Sequence, residues 1–140
     1  MMCIVFKLLL MQEKQDKKSL IIIACKYYMK TLRLLNLHCN KNDNDNNTKL
    51  DKTFLTVDNG SFHILGPESM MNGTDWNVNA DIQFNEQAKI SFFDEDLVRN
   101  LSTIKHFRNH FVKENEIHDG PKKVSFAINN ANYVLTYEIT

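Results

Sequence analysis

The chain has 140 residues and carries 17 basic and 17 acidic side chains. This length excludes a protein of several large domains, and the acidic residues 42–140 are a poor candidate for binding nucleic acid, because that affinity comes mostly from neutralising phosphates. The charges are unevenly distributed, since residues 1–41 have a net charge of +6 and residues 42–140 have a net charge of −6.

The three cysteines, Cys3, Cys25 and Cys39, all lie in the basic part of the chain, and their spacing matches no zinc-binding pattern. A secreted domain stabilised by disulfides would need cysteines in its folded part. We therefore expect a cytoplasmic protein.

The basic and apolar segment 1–39 is predicted to be an N-terminal extension. One interpretation is a helix from about Ser19 to Leu37, with apolar residues near one face. A second is a poorly ordered extension. A third is a bacterial lipoprotein start, with a lipid on Cys25 or Cys39 that anchors the protein to the envelope membrane. No stretch reaches the ~18 uninterrupted apolar residues that a spanning helix needs, so membrane contact is expected only through this extension.

The segment 40–50 begins with the tract Asn40–Asn47, which consists of asparagine, aspartate and one lysine. A segment without apolar side chains has nothing to bury in a core. We therefore predict a linker over residues 40–50 and one folded domain over residues 51–140.

The first predicted hairpin surrounds Asn59-Gly60, which is the strongest short hairpin signal because both residues tolerate a positive φ. A two-residue turn there places Val57 opposite Phe62 and directs both side chains to one face.

Two further hairpins are predicted from alternating apolar and polar residues. The second joins Trp76–Phe84 to Ala88–Phe93 through a three-residue loop. The third joins Lys123–Ile128 to Tyr133–Thr140 through a loop at 129–132, which places Phe126 opposite Leu135.

One helix is predicted between the second and third hairpins. It begins near Asp94, where Asp94-Glu95-Asp96 provides a cap and favourable charge, and its buried stripe runs from Leu97 to Phe111. The predicted fold class is therefore α+β, an antiparallel sheet of three β-hairpins with the helix packed on one face.

Few residues form a pattern that indicates chemistry. His106 and His110 are four residues apart on the predicted helix, but the glutamate of the metalloprotease pattern is replaced by Phe107. The acids near Asp94 are already explained by helix capping. We expect no catalytic residue, no metal and no cofactor, and therefore a non-catalytic protein.

The strongest candidate for binding is the polar face of the strand Trp76–Phe84. Its residues are acidic or amide-bearing and include no lysine, so this face is predicted to dock a basic protein partner. The predicted partner-binding residues are Asn77, Asn79, Asp81, Gln83, Asp94 and Glu95.

Residues 53–140 resemble the small immunity proteins of bacterial cell-wall-associated polymorphic-toxin systems. The resemblance lies in Asp75-Trp76 at the start of an alternating strand, Phe92-Phe93 running into the acidic segment Asp94–Leu97, and Tyr137-Glu138 in the last hairpin. It implies a cytoplasmic protein that neutralises a basic toxin domain by binding it. The alternative function is a lipid-anchored envelope protein with a small binding domain.

Overall fold

The computed structural model describes residues 29–42, 50–94, 109–116, 120–128 and 130–140. Within these ranges the chain forms eight strands and no helix. The strands are β1 Lys30–Lys41, β2 Asp51–Asp58, β3 Phe62–Met70, β4 Asp75–Phe84, β5 Gln87–Asp94, β6 His110–Lys113, β7 Lys122–Ile128 and β8 Ala131–Ile139.

The strands form two antiparallel sheets of four strands each. The first sheet has the order β4-β1-β8-β7 and the second has the order β3-β2-β5-β6. Strands that follow one another in the chain therefore often belong to different sheets, as β4 and β5 do. The described part of the protein is a β-sandwich.

The core lies between the two sheets, because strand residues alternate between an inward and an outward face. In β8 every second residue is buried, including Tyr133, Leu135 and Tyr137. The ring of Phe92 from the second sheet lies 4.5 Å from that of Tyr133 and 5.8 Å from that of Phe126, both in the first sheet. These contacts join the two sheets into one apolar interior.

The predicted α+β fold is wrong, because the part of the chain that the structure describes is all β. Asp94 ends β5, and His110–Lys113 forms β6, so both ends of the predicted helix lie in strands. In β6, Val112 is buried between exposed Phe111 and Lys113, which is the two-residue period of a strand. The middle of the predicted helix, residues 95–108, lies outside the described residues.

The first predicted hairpin is present, but its register differs by one residue. The loop contains three residues, 59–61, and Asp58 rather than Val57 lies opposite Phe62. The backbone N–H of Ser61 donates to Asn59 Oδ1 at 2.9 Å, and Gly60 adopts a φ of 99°, which together shape this longer turn. A shift of one residue reverses the face of every side chain on β3.

The other two predicted hairpins have different outcomes. The second is wrong, since β4 pairs with β1 whereas β5 pairs with β2 and β6. The third is present as β7 and β8, although Phe126 lies opposite Tyr133 rather than Leu135. Because this register differs by two residues, the apolar side chains still share the inward face.

The predicted N-terminal extension contains a central strand of the fold. β1 lies between β4 and β8, and the side chains of Leu32, Leu34 and Leu37 are 0% exposed. The predicted helix is therefore wrong from residue 30 onward, and the predicted domain boundary at residue 51 leaves out a core strand. Residues 1–28 and 43–49 lie outside the described residues.

The lipoprotein interpretation does not suit Cys39, since this side chain is 0% exposed inside β1. Burial also raises the pKa of its thiol, which makes the thiolate less available for reaction. Cys25, the other candidate, lies outside the described residues. Among the described residues, no helix has the length and apolar character needed to cross a bilayer.

Candidate functional site

The polar face predicted for β4 exists on the outside of the first sheet. Asn77, Asn79, Asp81 and Gln83 are all exposed, while Ile82 and Phe84 are buried. β4 lies at the edge of its sheet as described. Four of the six predicted partner-binding residues therefore share one accessible surface.

The acidic groups of this face are paired with basic groups on β1. Arg33 Nε donates to Asp81 Oδ1 at 2.9 Å, and Arg33 Nη1 donates to Glu138 Oε1 at 3.1 Å. The hydrogen bond to Asp81 is the main reason that the pKa of Arg33 is raised. One guanidinium group is therefore shared by two carboxylates, so Asp81 is paired while the three groups together keep a net charge of −1.

A second pairing lies at the other end of β4. The Asn36 side-chain amide donates to Asp75 Oδ1 at 2.8 Å, and His38 Nδ1 lies 2.8 Å from the same oxygen. Both hydrogen bonds lower the pKa of Asp75, and the bond from Asn36 has the larger effect. These two contacts connect the exposed Asp75 carboxylate on β4 to β1.

Of the other two predicted partner-binding residues, Asp94 does not join this face. Asp94 ends β5 in the second sheet, where it lies opposite Thr53. Glu95 lies outside the described residues.

The second sheet has an outer face that the sequence analysis missed. Phe62 is 64% exposed, Ile64 is 63% exposed and Phe111 is 47% exposed. Phe62 and Ile64 lie two residues apart on edge strand β3, and Phe111 lies on edge strand β6. We call this surface the apolar outer face, and it consists of Phe62, Ile64 and Phe111 with the half-buried Phe54 and Phe93.

The register explains why this face was missed. A two-residue turn at Asn59-Gly60 would have directed Phe62 and Ile64 into the core, and the observed three-residue loop directs both outward. The available signal in the sequence was Asn59 two residues before Ser61, because the Asn59 side-chain oxygen accepts the backbone N–H of Ser61 and so favours the longer turn.

A polar cleft of about 390 Å³ opens at the loop end of the apolar outer face. Its position follows from the pairing of Asp58 with Lys89 and of Lys89 with Phe111, which places the three residues in one row across the sheet. The cleft is lined by Asp58, Asn59, Gly60, Asn85, Glu86, Gln87, Lys89 and Phe111.

A cluster of titratable groups connects β6 to the first sheet. His110 Nε2 and Tyr137 Oη share a hydrogen bond of 2.8 Å, and Lys122 Nζ donates to Glu116 Oε2 at 3.0 Å. The pKa of Tyr137 is raised to about 12, mainly by burial and to a smaller extent by the nearby Glu116 carboxylate. We call these four residues the cross-sheet cluster, and their mutual contacts indicate a structural role.

Of the two histidines considered as metal ligands, only His110 lies in the part of the chain that the structure describes. His106 lies outside the described residues, and His110 contacts Tyr137. Within the described ranges, no group of three or more histidine, cysteine, aspartate or glutamate side chains is arranged to hold a metal ion.

The cross-sheet cluster predicts a stability that depends on pH. Burial is the main reason that the pKa of His110 lies below its ordinary value of 6.5, with Lys122 acting in the same direction and Glu116 opposing it. The unfolded chain therefore binds the proton more readily, and the free energy of unfolding should fall as the pH is lowered from 7 through 6.5. Urea unfolding at several pH values measures this slope.

The His110→Gln variant is the control for this pH dependence. Glutamine can still donate a hydrogen bond to Tyr137 but does not titrate. Its free energy of unfolding should vary less than that of the wild type between pH 7 and the lowered pKa of His110. Equal slopes for the two proteins would show that His110 is not responsible.

The chain was compared with known families and proteins. No protein-family model and no curated protein matches it. Similar solved structures include human GIVD cytosolic phospholipase A2, alone, in complex with methyl gamma-linolenyl fluorophosphonate, and with that inhibitor and terbium chloride. The TM-score is 0.44 in each case, at 9–12% identity. The match covers 79% of this chain and 16–17% of the phospholipase chain. A likeness at this level supports no conclusion about fold or function.

Proposed function

We propose that the chain is a non-catalytic protein-binding module that docks its partner on the apolar outer face. The observation that carries the proposal is the exposure of Phe62 and Ile64, 64% and 63%, side by side on β3. With about 200 Å² for a large side chain, the exposed fractions of Phe62, Ile64 and Phe111 leave roughly 350 Å² of apolar surface, divided between the two edge strands of the sheet. The largest apolar patch on a typical monomer covers about 300 to 600 Å² and is often functional.

The composition of the face favours a protein over a lipid bilayer as the partner. Asp58 and Lys89 lie in the same row as Phe62 and Phe111, so aromatic groups surround a charged centre. Aromatic residues are enriched at protein interfaces, and a protein partner can pair the two charges with its own polar groups. A hydrocarbon environment would have to desolvate both charges, which is costly.

The free edge of β3 offers a second means of binding. β3 is the last strand of its sheet as described, and its first four residues, Phe62–Leu65, contain neither proline nor a charged side chain. Pro67 and Glu68 protect the later part of the strand against pairing. An extended segment of the partner can therefore add to the sheet beside Phe62–Leu65 and cover the exposed apolar side chains.

The corresponding edge of β4 is less suited to strand addition. Asn79 adopts a φ of 48° in the middle of that strand, and the pairing register with β1 shifts between Leu34 and Asn36. Such irregularities in an edge strand discourage pairing with another chain.

Three earlier expectations stay predictions. Docking of a basic partner on the β4 face has weaker electrostatic support, because Arg33 lies between Asp81 and Glu138. The toxin-neutralising role implied by the resemblance to immunity proteins is one form of the proposed function. A cytoplasmic location suits the free thiol of Cys39.

Site-specific photo-crosslinking in the native host tests the proposal. One protein carries p-benzoylphenylalanine in place of Phe62, and the control carries it in place of Gln83 on the β4 face. We expect a crosslink at position 62 that mass spectrometry maps to one segment of a partner protein. That partner, purified, should bind Ile64→Ser about tenfold more weakly than wild type, the loss typical of an interface anchor.

A matched variant separates the site from general stability. Val134→Ser makes the same kind of change on the outer face of the first sheet, where Val134 is half-buried. This variant should bind the partner as the wild type does. A crosslink at position 83 alone, a crosslink to lipid alone, or no crosslink at position 62 would overturn the proposal.

A further inference from the structure

The cleft beside the apolar outer face has one aromatic wall. Phe111 is 47% exposed and lies next to Lys89 in the row that crosses the sheet. An exposed aromatic face attracts planar cations, and a guanidinium group stacks on such a ring more favourably than a compact ammonium group does. The wall therefore suits an arginine side chain.

The charge of the cleft is also complementary to one added cation. Its lining includes two carboxylates, Asp58 and Glu86, and one ammonium group, Lys89. The net charge of −1 is neutralised by a single arginine. One oxygen of Asp58 already accepts the backbone N–H of Gly60 at 3.1 Å, which leaves further acceptor positions on that carboxylate.

The remaining lining groups supply acceptors for the other guanidinium hydrogens. Asn85 and Gln87 line the cleft and are exposed, and each carries a side-chain amide oxygen that can accept a hydrogen bond. A guanidinium group has five N–H donors in a fixed plane, so it can use a carboxylate and an amide oxygen together. A volume of about 390 Å³ accommodates the side chain with accompanying water.

We infer that this cleft receives an arginine side chain of the protein partner. The inference rests on the proposed function and adds to it the chemistry of one partner residue. The arginine lies over the Phe111 ring with its guanidinium directed to Asp58 and Glu86, next to the segment that covers Phe62 and Ile64. The partner is therefore a protein with an arginine close to an extended apolar segment.

NMR titration of the full chain with Nα-acetyl-L-arginine methylamide tests the inference. We expect saturable shifts of the backbone amides of Gly60, Glu86 and Gln87 at millimolar concentrations. The citrulline counterpart has the same shape without the charge, and it should bind about three- to tenfold more weakly because it loses the ion pair and the cation–π contact. The lysine counterpart should also bind more weakly, because it cannot stack as a plane.

Variants identify the groups responsible. Glu86→Gln and Phe111→Leu should each weaken binding of the arginine probe about three- to tenfold. Glu114→Gln removes an exposed carboxylate that does not line the cleft, so it is the charge-matched control and should bind as the wild type does. Equal binding of the arginine and citrulline probes, shifts confined to the β4 face, or no saturable shift would overturn the inference.

The two proposals can fail separately. If position 62 crosslinks to a partner but the arginine probe does not bind the cleft, the protein-binding function stands and the arginine subsite is wrong. If the probe binds the cleft but no partner crosslinks at position 62, the docking surface is wrong. In that case the cleft binds cations independently of a partner. Its role in partner binding is then wrong, together with the proposed function.

Discussion

The Leu37→Ala variant is expected to be less stable than the wild-type protein by about 3 to 5 kcal/mol, the upper part of the range measured for buried leucines. Leu37 is 0% exposed and lies on β1, between Trp76 of β4 and Leu135 of β8. Truncation removes apolar contacts on both sides of the central strand and leaves a cavity. Since single domains are stable by only about 5 to 15 kcal/mol, this loss is measurable by urea unfolding.

The neighbouring residue provides the control. His38 is also on β1, but its side chain points outward, is 37% exposed, and pairs with the exposed carboxylate of Asp75. The His38→Ala variant should lose no more than about 1 kcal/mol, as is usual for exposed ion pairs. Similar losses for the two variants would place β1 outside the core and would restore the domain boundary predicted at residue 51.

The position of β1 shows why the sequence predicted only part of the fold. Lys30–Lys41 contains apolar residues at 32, 34, 35, 37 and 39, a pattern that also suits one face of a helix. A strand is easier to identify from the sequence when its pairing partner is nearby in the chain, as for β7 and β8. The partners of β1 begin at residues 75 and 131, and no local signal identifies them.

The same limitation affected the candidate site. The exposed alternation of β4 is local and was predicted correctly, because each residue faces the side opposite to its neighbour. Whether those carboxylates are free depends on Arg33, which is 48 residues from Asp81 in the chain. Likewise, the outward direction of Phe62 and Ile64 depends on one residue of loop length. The local pattern was therefore predictable, and the net charge and apolarity of the surfaces were not.

The Gly66→Ala variant is expected to lose about 2 to 6 kcal/mol of stability, the sum of a backbone strain of about 1 to 3 and an overpacking cost of about 1 to 3. Gly66 has a φ of +102°, in a region that residues with a side chain rarely adopt. A Cβ at this position would lie 2.7 Å from the carbonyl oxygen of Thr53 and 3.3 Å from Cη2 of Trp76. The carbonyl belongs to the backbone of β2, so it cannot move without disturbing the sheet.

Two other glycines distinguish the backbone strain of a positive φ from the steric overlap of an added Cβ. Gly60 and Gly73 have φ values of +99° and +81°, and nothing lies within 4 Å of an added Cβ at either position. Gly60→Ala and Gly73→Ala should therefore show only the backbone strain, and Gly66→Ala should exceed both by about 1 to 3 kcal/mol in urea unfolding. If all three variants lost the same stability, β2, β3 and Trp76 would not meet at Gly66. The strand that carries Phe62 and Ile64 would then lack the support that holds these side chains outward for a partner.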